Sequence, residues 1–395
     1  MQESKKTMKI LHTSDWHLGQ MLYNYDRTAE QGAMLNQMVR LVEKHQPDVF
    51  LVAGDIFHTS TPSASVQTML AEAIVEIHKA CPEMTIVLTA GNHDSASKHE
   101  IFRTPWKALN VHALGYLEKG NLDSHIIKVE GKGFIAAVPY CYERNLPENF
   151  FQQLLDRVSE LNTENLPVVL SAHLTVAGCD FTGHERVTDT SVGGIDNYSL
   201  NQMGTGFDYL ALGHIHKGQF VHSSHHNIRY CGTPLPVSFD ETSEHSITLI
   251  DIPAHGEEPS YVFEKIENPY PLVTLPQEEF LDWEGAKELL KEFPDDNPSY
   301  IRLNVEVTDF LPGTAAAEAQ AICRSKMCRF CHINAKRKNA LSVKNKGMTI
   351  SEFKTKSPLD VLIQYAQDTN KVVDDEMKVL FADAERQVME NKGNN

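Results

Sequence analysis

VFLVAGD, residues 49–55, is a five-residue apolar run that stops on Gly54 and Asp55. A run this short, β-branched and closed by a turn residue, reads as a buried strand rather than a helix. The same spelling recurs on both sides of it. KILHTSD (9–15), IVLTAGN (86–92), VVLSAH (168–173) and YLALGH (209–214) each end on Asp, Asn or His. Helical text lies between them: Gln31 to His45 places Met34, Met38, Leu41 and Val42 on one face, and Val66 to His78 does the same with Met69, Leu70, Ala73 and Ile77. Alternating strand and helix predicts a layered α/β domain. Open α/β sheets bind ligands outside the carboxyl ends of their strands, so five such endings converge on one crevice, with the chemistry of a metal site.

Composition sets the outer bounds. A chain of 395 residues, 41% hydrophobic and 23% charged, can bury one large domain with one or two small ones. The net charge of -17 excludes a protein that coats nucleic acid indiscriminately, because phosphate binding needs cations, so any DNA contact must be local. Seven cysteines, an odd number, do not form a disulfide framework. The start, MQESKKTMKIL, has no apolar stretch before the first strand, and no later run approaches a membrane span. A cytoplasmic location is the expectation.

Organisation changes twice along the chain. HIIKVE (125–130) and GFIAAVPY (133–140) read as further strands without a ligand at their ends. After ITLIDIP (247–253), prolines at 269, 271 and 276 mark a linker near residue 268, since each removes a backbone donor and restrains its predecessor. Residues 1–268 are then the α/β domain. Residues 269–348 read as a small α+β domain: helix Leu281–Glu292, strand Tyr300–Val307, helix Thr314–Arg324 and strand Met327–Ala335. Between Gln320 and Ile350 stand eight Lys or Arg and no acid: Arg324, Lys326, Arg329, Lys336, Arg337, Lys338, Lys344 and Lys346. Such a block is either a solvated face or a phosphate-binding patch. Residues 349–395 read as a helical pair, with Leu359, Leu362, Ile363 and Ala366 on one stripe and Met377, Leu380, Phe381, Ala384 and Val388 on the other. The stripes pack on the body or meet a partner.

Chemistry concentrates at the strand ends. Asp15 and His17, two apart in an extended segment, share a face and can reach one ion. Asp55 has two oxygens with which to bridge two ions, and Gly54 lets the chain turn tightly before it. Asn92 offers a neutral oxygen, with His93 and Asp94 beside it in GNHD, and His173, His214 and His216 complete the set. A lone histidine is usually structural, but seven O/N donors without a thiolate, all at strand ends, fit two ions sharing a carboxylate. That donor set favours Mn²⁺, Fe²⁺ or Zn²⁺ over Mg²⁺ alone, which prefers oxygen. Paired divalent ions imply phosphoester hydrolysis.

The ordered set D-x-H, G-D, G-N-H-D, a lone His and then G-H-I-H resembles the calcineurin-like metallophosphoesterases over residues 9 to about 250. Within that family, HTSDWHLGQ, AGDIFH, AGNHDS, YLALGHIHKGQ and YCGTPLPVSFDE look like the bacterial SbcD branch. The resemblance implies a metallophosphoesterase β-sandwich flanked by helices. It puts one ion on Asp15, His17, Asp55 and His216 and the other on Asp55, Asn92, His173 and His214. His93 then stabilises or protonates the transition state and Asp94 orients His93, while His58, where many relatives carry Asp, joins the catalytic candidates. It further implies a Mn²⁺-dependent double-strand exonuclease and single-strand endonuclease, a homodimer within a heterotetramer with the SbcC ATPase. Residues 269–348 would cap the site and contact DNA through the basic block, and the terminal helices would dock on the ATPase.

Two motifs compete with this reading. Cys328, Arg329, Phe330, Cys331 and His332 spell the C-x-x-C-H of haem c, and Cys323 extends it toward an iron–sulfur spacing. Haem c needs export and the cluster lacks a fourth cysteine, so thiols serving as small hydrophobes are the expectation. His222, His225 and His226 are expected to decorate a hairpin turn. The rival functions are a phosphoesterase for a small phosphate ester, and a DNA-end tethering adaptor with a silent site.

Overall fold

The computed structural model describes residues 7–182, 197–221 and 226–338, with residues 359, 363, 377, 378, 380 and 381 beyond them. Two six-stranded sheets form its frame. The first contains β1 (Met8–Thr13), β2 (Val49–Ala53), β3 (Thr85–Thr89) and β4 (Val111–Leu114), all parallel. Two later strands, named β11 (Ser246–Ile252) and β12 (Ser260–Lys265), extend it antiparallel beyond β1. In the second sheet β5 (Ile126–Val129) pairs antiparallel with β6 (Gly133–Val138), and β6, β7 (Val168–His173), β8 (Tyr209–Gly213) and β10 (Ile228–Tyr230) are parallel. A short β9 (Gln219–Phe220) closes a hairpin onto β10, with His226 exposed in the turn; His222 and His225 lie outside the described residues.

Parallel strands buried on both faces are mainly apolar, and these are, with buried polar exceptions such as His12 of β1, Ser171 of β7 and Arg229 of β10. The sheets face each other across Met8, Ile10, Leu51, Val87, Ile135, Val169, Ala211 and Ile250. On its outer face the first sheet is covered by α1 (Thr28–His45) and α2 (Ala64–Ala80), which bury Met34, Met38, Val42, Leu70, Ile74 and Ile77. Two further helices follow, α3 (Ala96–Trp106) and α4 (Phe150–Leu161), and α4 buries Phe150, Phe151, Leu154, Leu155 and Val158 over the second sheet. The result is helices, sheet, sheet, helices, the expected α/β sandwich. Because β1–β3 run parallel, Asp15, Asp55 and Asn92 leave the same edge of the first sheet. His173 and His214 leave the corresponding ends of β7 and β8 in the second.

The proline-rich stretch differs from its reading as a linker. Leu272–Leu275 is a strand, β13, lying parallel to β14 (Tyr300–Val307) at one side of a sheet completed by β15 (Arg329–Arg337). Prolines 271 and 276 flank the strand rather than interrupt it, which an edge position tolerates. Helices α5 (Trp283–Glu292) and α6 (Ala315–Cys323) complete the predicted α+β pattern within two residues at each end. By contacts, residues 1–305 with 313–334 form one compact unit, and 306–312 with 335–395 a second. In the second unit the Lys338 amide donates to the Val307 carbonyl at 2.8 Å. Leu359, Ile363, Met377, Leu380 and Phe381 are helical; Leu362, Ala366, Ala384 and Val388 lie outside the described residues. Among the described residues, no helix is long and apolar enough to cross a membrane.

Candidate metal centre

The strand ends deliver their side chains through strained turns. Asp15, His17, Asp55 and His214 all hold left-handed backbone, with φ of 53°, 46°, 49° and 94°. Non-glycine residues persist there only where the surroundings over-determine them, at about 1–3 kcal/mol each, and such strain clusters at functional sites. Backbone bonds supply the restraint: the Asp15 amide donates to Gly54 and that of His17 to Asp55, both at 3.0 Å. Two of the first sheet's three ligand-bearing loops, those after β1 and β2, are thus stitched together before any side chain acts.

Two groups of donor atoms result, each with its members within 4.8 Å of one another: Asp15, His17 and His216, and Asp55, His173 and His214. His17 Nε2 and His216 Nε2 lie 3.2 Å apart, and His173 Nε2 lies 3.4 Å from Asp55 Oδ2. Asn92 Oδ1 sits 3.0 Å from both His173 Nε2 and His214 Nδ1, so it joins the second group. The floor is buried, with Asp15, His17, Asp55, His173 and His216 at most 6% exposed. Asn92 is exposed, and His58, His93 and His214 are partly so. His17, His58 and His93 make a third group of possible donors.

Outer partners aim the imidazoles. His173 Nδ1 donates to the Ala53 carbonyl at 2.8 Å, leaving Nε2 to point inward. His216 Nδ1 meets Glu241 Oε1 at 2.9 Å, while the other Glu241 oxygen accepts from Thr233 Oγ1 and the Val237 amide. This arrangement, one ring nitrogen held by a carbonyl or carboxylate and the other directed at a shared point, is what metal-ligating histidines show. With Nδ1 of His216 protonated toward Glu241, its Nε2 lone pair faces His17 Nε2, while His17 Nδ1 is buried without a hydrogen-bond partner. A cation between the two Nε2 atoms would satisfy lone pairs that face each other at 3.2 Å. The donor set therefore fits divalent metal, all O and N with no thiolate.

Electrostatics agree with a charge-dense pocket. Burial would lower the His173 pKa, but the Asp55 carboxylate outweighs it and raises it to about 9. Burial pushes Asp55 upward, yet His173 and His17 hold it well below the usual carboxylate range. Asp15 is raised by burial despite His173 and His216. Burial also lowers His17, with Asp55 opposing.

Three expectations need correction. Asp94 does not orient His93: its carboxylate accepts from the amides of Phe57 (2.8 Å), Gly91 (2.9 Å) and Ile56 (3.1 Å), pinning the turn after Asp55 to the GNHD loop. The His93 ring is instead held by the His58 carbonyl, 2.9 Å from Nδ1, and the His93 amide donates to Asp55 Oδ1. Among the basic residues, Lys326 is committed to the fold, bonded to Asp295 and to the carbonyls of Lys291 and Phe293. Arg329 packs over the rings of Tyr25, Tyr270 and Tyr300 and donates to the Tyr300 hydroxyl at 2.7 Å. Arg324, Lys336, Arg337 and Lys338 are exposed, and Lys344 and Lys346 lie outside the described residues.

Glu241 closes the YCGTPLPVSFDE motif but was given no role there, because an acid 25 positions after its histidine has no ligand spacing to mark it. The cysteines behave as expected of small hydrophobes: Cys323 and Cys328 are buried with their sulfurs 3.6 Å apart, and Cys331 packs beside Tyr300 and Phe239.

Residues 8–218 match the calcineurin-like phosphoesterase family. Among curated relatives, the SbcD component of the SbcCD nuclease of Rhodobacter capsulatus is 32% identical over 298 residues, 68% of this chain and 72% of that one. The Escherichia coli protein of the same name is 28% identical over 68% of this chain and 70% of its own. That from Bacillus subtilis is 28% identical over 77% and 80%. With strand ends, buried donors and sequence in agreement over that span, this chain belongs to the calcineurin-like phosphoesterases, in the branch of the SbcD nucleases.

Proposed function

We propose that the protein is the nuclease subunit of an ATP-gated complex that processes DNA ends and hairpins in repair, recombination and replication. The observation that carries the reading is the pair of adjacent donor groups, Asp15/His17/His216 and Asp55/His173/His214, with the more exposed His58, Asn92 and His93 beside them. One ion is assigned to Asp15, His17, Asp55 and His216, the other to Asp55, Asn92, His173 and His214, with Mn²⁺ the favoured metal over Fe²⁺, Zn²⁺ or Mg²⁺. When bound, such a pair acidifies water and stabilises charge on a phosphoryl oxygen.

The chain's own residues supply the rest. His93 is anchored through Nδ1, which donates to a carbonyl, so Nε2 is the atom free to pass a proton to the leaving oxygen. Asp94 holds the loop that carries His93 against the loop that carries Asp55. His58, whose ring stacks 5.6 Å from that of His93, keeps water and substrate to one side of it.

The reading takes duplex DNA in the 3′-to-5′ direction as exonuclease substrate and single strands as endonuclease substrate. Residues 1–268 are assigned to the phosphoesterase, 269–348 to a cap that contacts DNA through Arg324, Lys336, Arg337, Lys338, Lys344 and Lys346, and 349–395 to docking on the SbcC ATPase. A homodimer within a heterotetramer, in the cytoplasm, completes the assignment. The test is cleavage of end-labelled duplex and single-stranded DNA with Mn²⁺, with and without SbcC and ATP. Metal-dependent cleavage, stimulated on duplex ends by the ATPase and ATP, is expected; no cleavage in any combination overturns it in favour of a tethering role.

A further inference from the structure

A cavity of about 250 Å³ lies between Gln20, Met21, Leu22 and Tyr23 on one side and Val237, Ser238, Phe239 and Asp240 on the other, with Arg302 from β14 at its end. Both walls are rooted at the metal centre. The first begins three residues after His17, and the second ends one residue before Glu241, the acid that holds His216. They are also tied to each other: Gln20 Nε2 donates to the Val237 carbonyl at 2.7 Å, and buried Arg27 donates through Nη1 to Gln20 Oε1 and to the Pro236 carbonyl. The cavity is therefore part of a rigid frame continuous with the ligands.

Its lining is that of a ring-binding slot. Tyr23 is 38% exposed and holds left-handed backbone at φ 47°. His332 stacks on it at 4.7 Å and 25°, and Phe239 sits 6.1 Å away, tilted by 54°. Such a ring is fixed in place, with its remaining surface forming a wall. The polar end carries Asp240 paired to Arg302 Nη1 at 2.6 Å, with the guanidinium 5.2 Å over Phe239. Because the charges cancel, this end is no phosphate cradle, while the Ser238 hydroxyl can meet the edge of a polar ring. Volume limits the occupant to one ring system, since sites for larger ligands run to about 300–1,000 Å³.

We infer that this cavity receives one unstacked nucleobase of the DNA strand being cut, stacked on Tyr23, and so fixes the register of the strand over the metal centre. The inference rests on the nuclease reading above and adds to it a base subsite. Single-strand binders use such platforms, and stacking tolerates any base because each has a π-face.

The experiment uses the full chain with Mn²⁺ and a set of single-stranded oligonucleotides in which one abasic nucleotide is walked across the cleavage position. The wild-type protein should show one position at which the missing base lowers kcat/KM about tenfold. That penalty should vanish in Tyr23→Ala and persist in Tyr23→Phe. Cleavage with no sensitive position, or an equal penalty in Tyr23→Ala, overturns the base subsite and leaves the nuclease reading standing. No cleavage of any oligonucleotide by the wild-type protein overturns both.

Discussion

At the scale of single residues, the site divides into groups that hold metal and groups that move protons, and substitutions should separate them. His93→Gln removes a side chain that is anchored on a carbonyl and that the proposed function assigns to neither ion. Mn²⁺ binding by calorimetry should therefore persist while cleavage falls about 10²–10⁴-fold, the usual worth of an acid–base group. Asp55→Asn, by contrast, should lose metal and activity together. A second prediction concerns His12, buried between the sheets with Nδ1 2.9 Å from the Tyr209 hydroxyl. Burial, with Arg229 assisting, depresses its pKa from 6.5 to about 3. The unfolded chain then holds a proton that the folded protein refuses between those values. His12's contribution is fully present above pH 6.5 and drains away at about 1.4 kcal/mol per pH unit as pH falls toward 3. Urea unfolding of wild type and His12→Gln should show their stability difference shifting by about 2 kcal/mol against the wild type between pH 7.5 and pH 5. A constant difference would mean that His12 titrates normally.

At the scale of elements, the loops after β2 and β3 matter more than the strands that launch them. A Cβ on Gly91 would stand 2.1 Å from Asp55 Oδ1 and 2.3 Å from the Asp55 amide nitrogen, so no side chain fits where the two loops meet. Gly91→Ala should displace Asp55 and abolish Mn²⁺ binding while leaving far-UV circular dichroism unchanged, since neither sheet depends on that contact. Glu241→Gln tests the outer support of His216 from the other sheet's side. It should weaken Mn²⁺ affinity about 10–100-fold, with the loss read by titration calorimetry. The five ligand-bearing strands and helices α1 and α2 were legible in the sequence because their apolar periods are unambiguous, as at VFLVAGD and Gln31–His45, whereas the short strands Val111–Leu114 and Ile228–Tyr230 and helices α3 and α4 were not read. The strand Leu272–Leu275 was not, because its flanking prolines spell a linker, and only pairing with β14 makes them tolerable.

At the scale of the whole molecule, a chain of net charge -17 must meet DNA through a local basic surface if the proposed function holds. Lys336, Arg337 and Lys338, at the end of β15, are exposed. Replacing all three by Gln should weaken DNA binding and reduce the slope of log affinity against log salt by up to about 3, while hydrolysis of a small chromogenic phosphodiester stays unchanged. An equal loss on both substrates would point to a damaged fold instead. Lys326 and Arg329 belong outside this experiment, because their contacts with Asp295 and with three tyrosines are structural.

The α/β layering, the strand ends and the residue types gathered there were already written in the chain, because these follow from local period and from where each strand stops. Three-dimensional packing settled which donors face one another. Asp15 reaches His216 across 201 positions of chain, and Asp55 reaches His173 across 118, contacts that exist only because two mixed sheets stack with the carboxyl ends of their parallel strands aligned. Packing also chose the supporting partners, Glu241 for His216, Ala53 for His173 and the His58 carbonyl for His93, since a hydrogen bond between distant loops leaves no spacing to read.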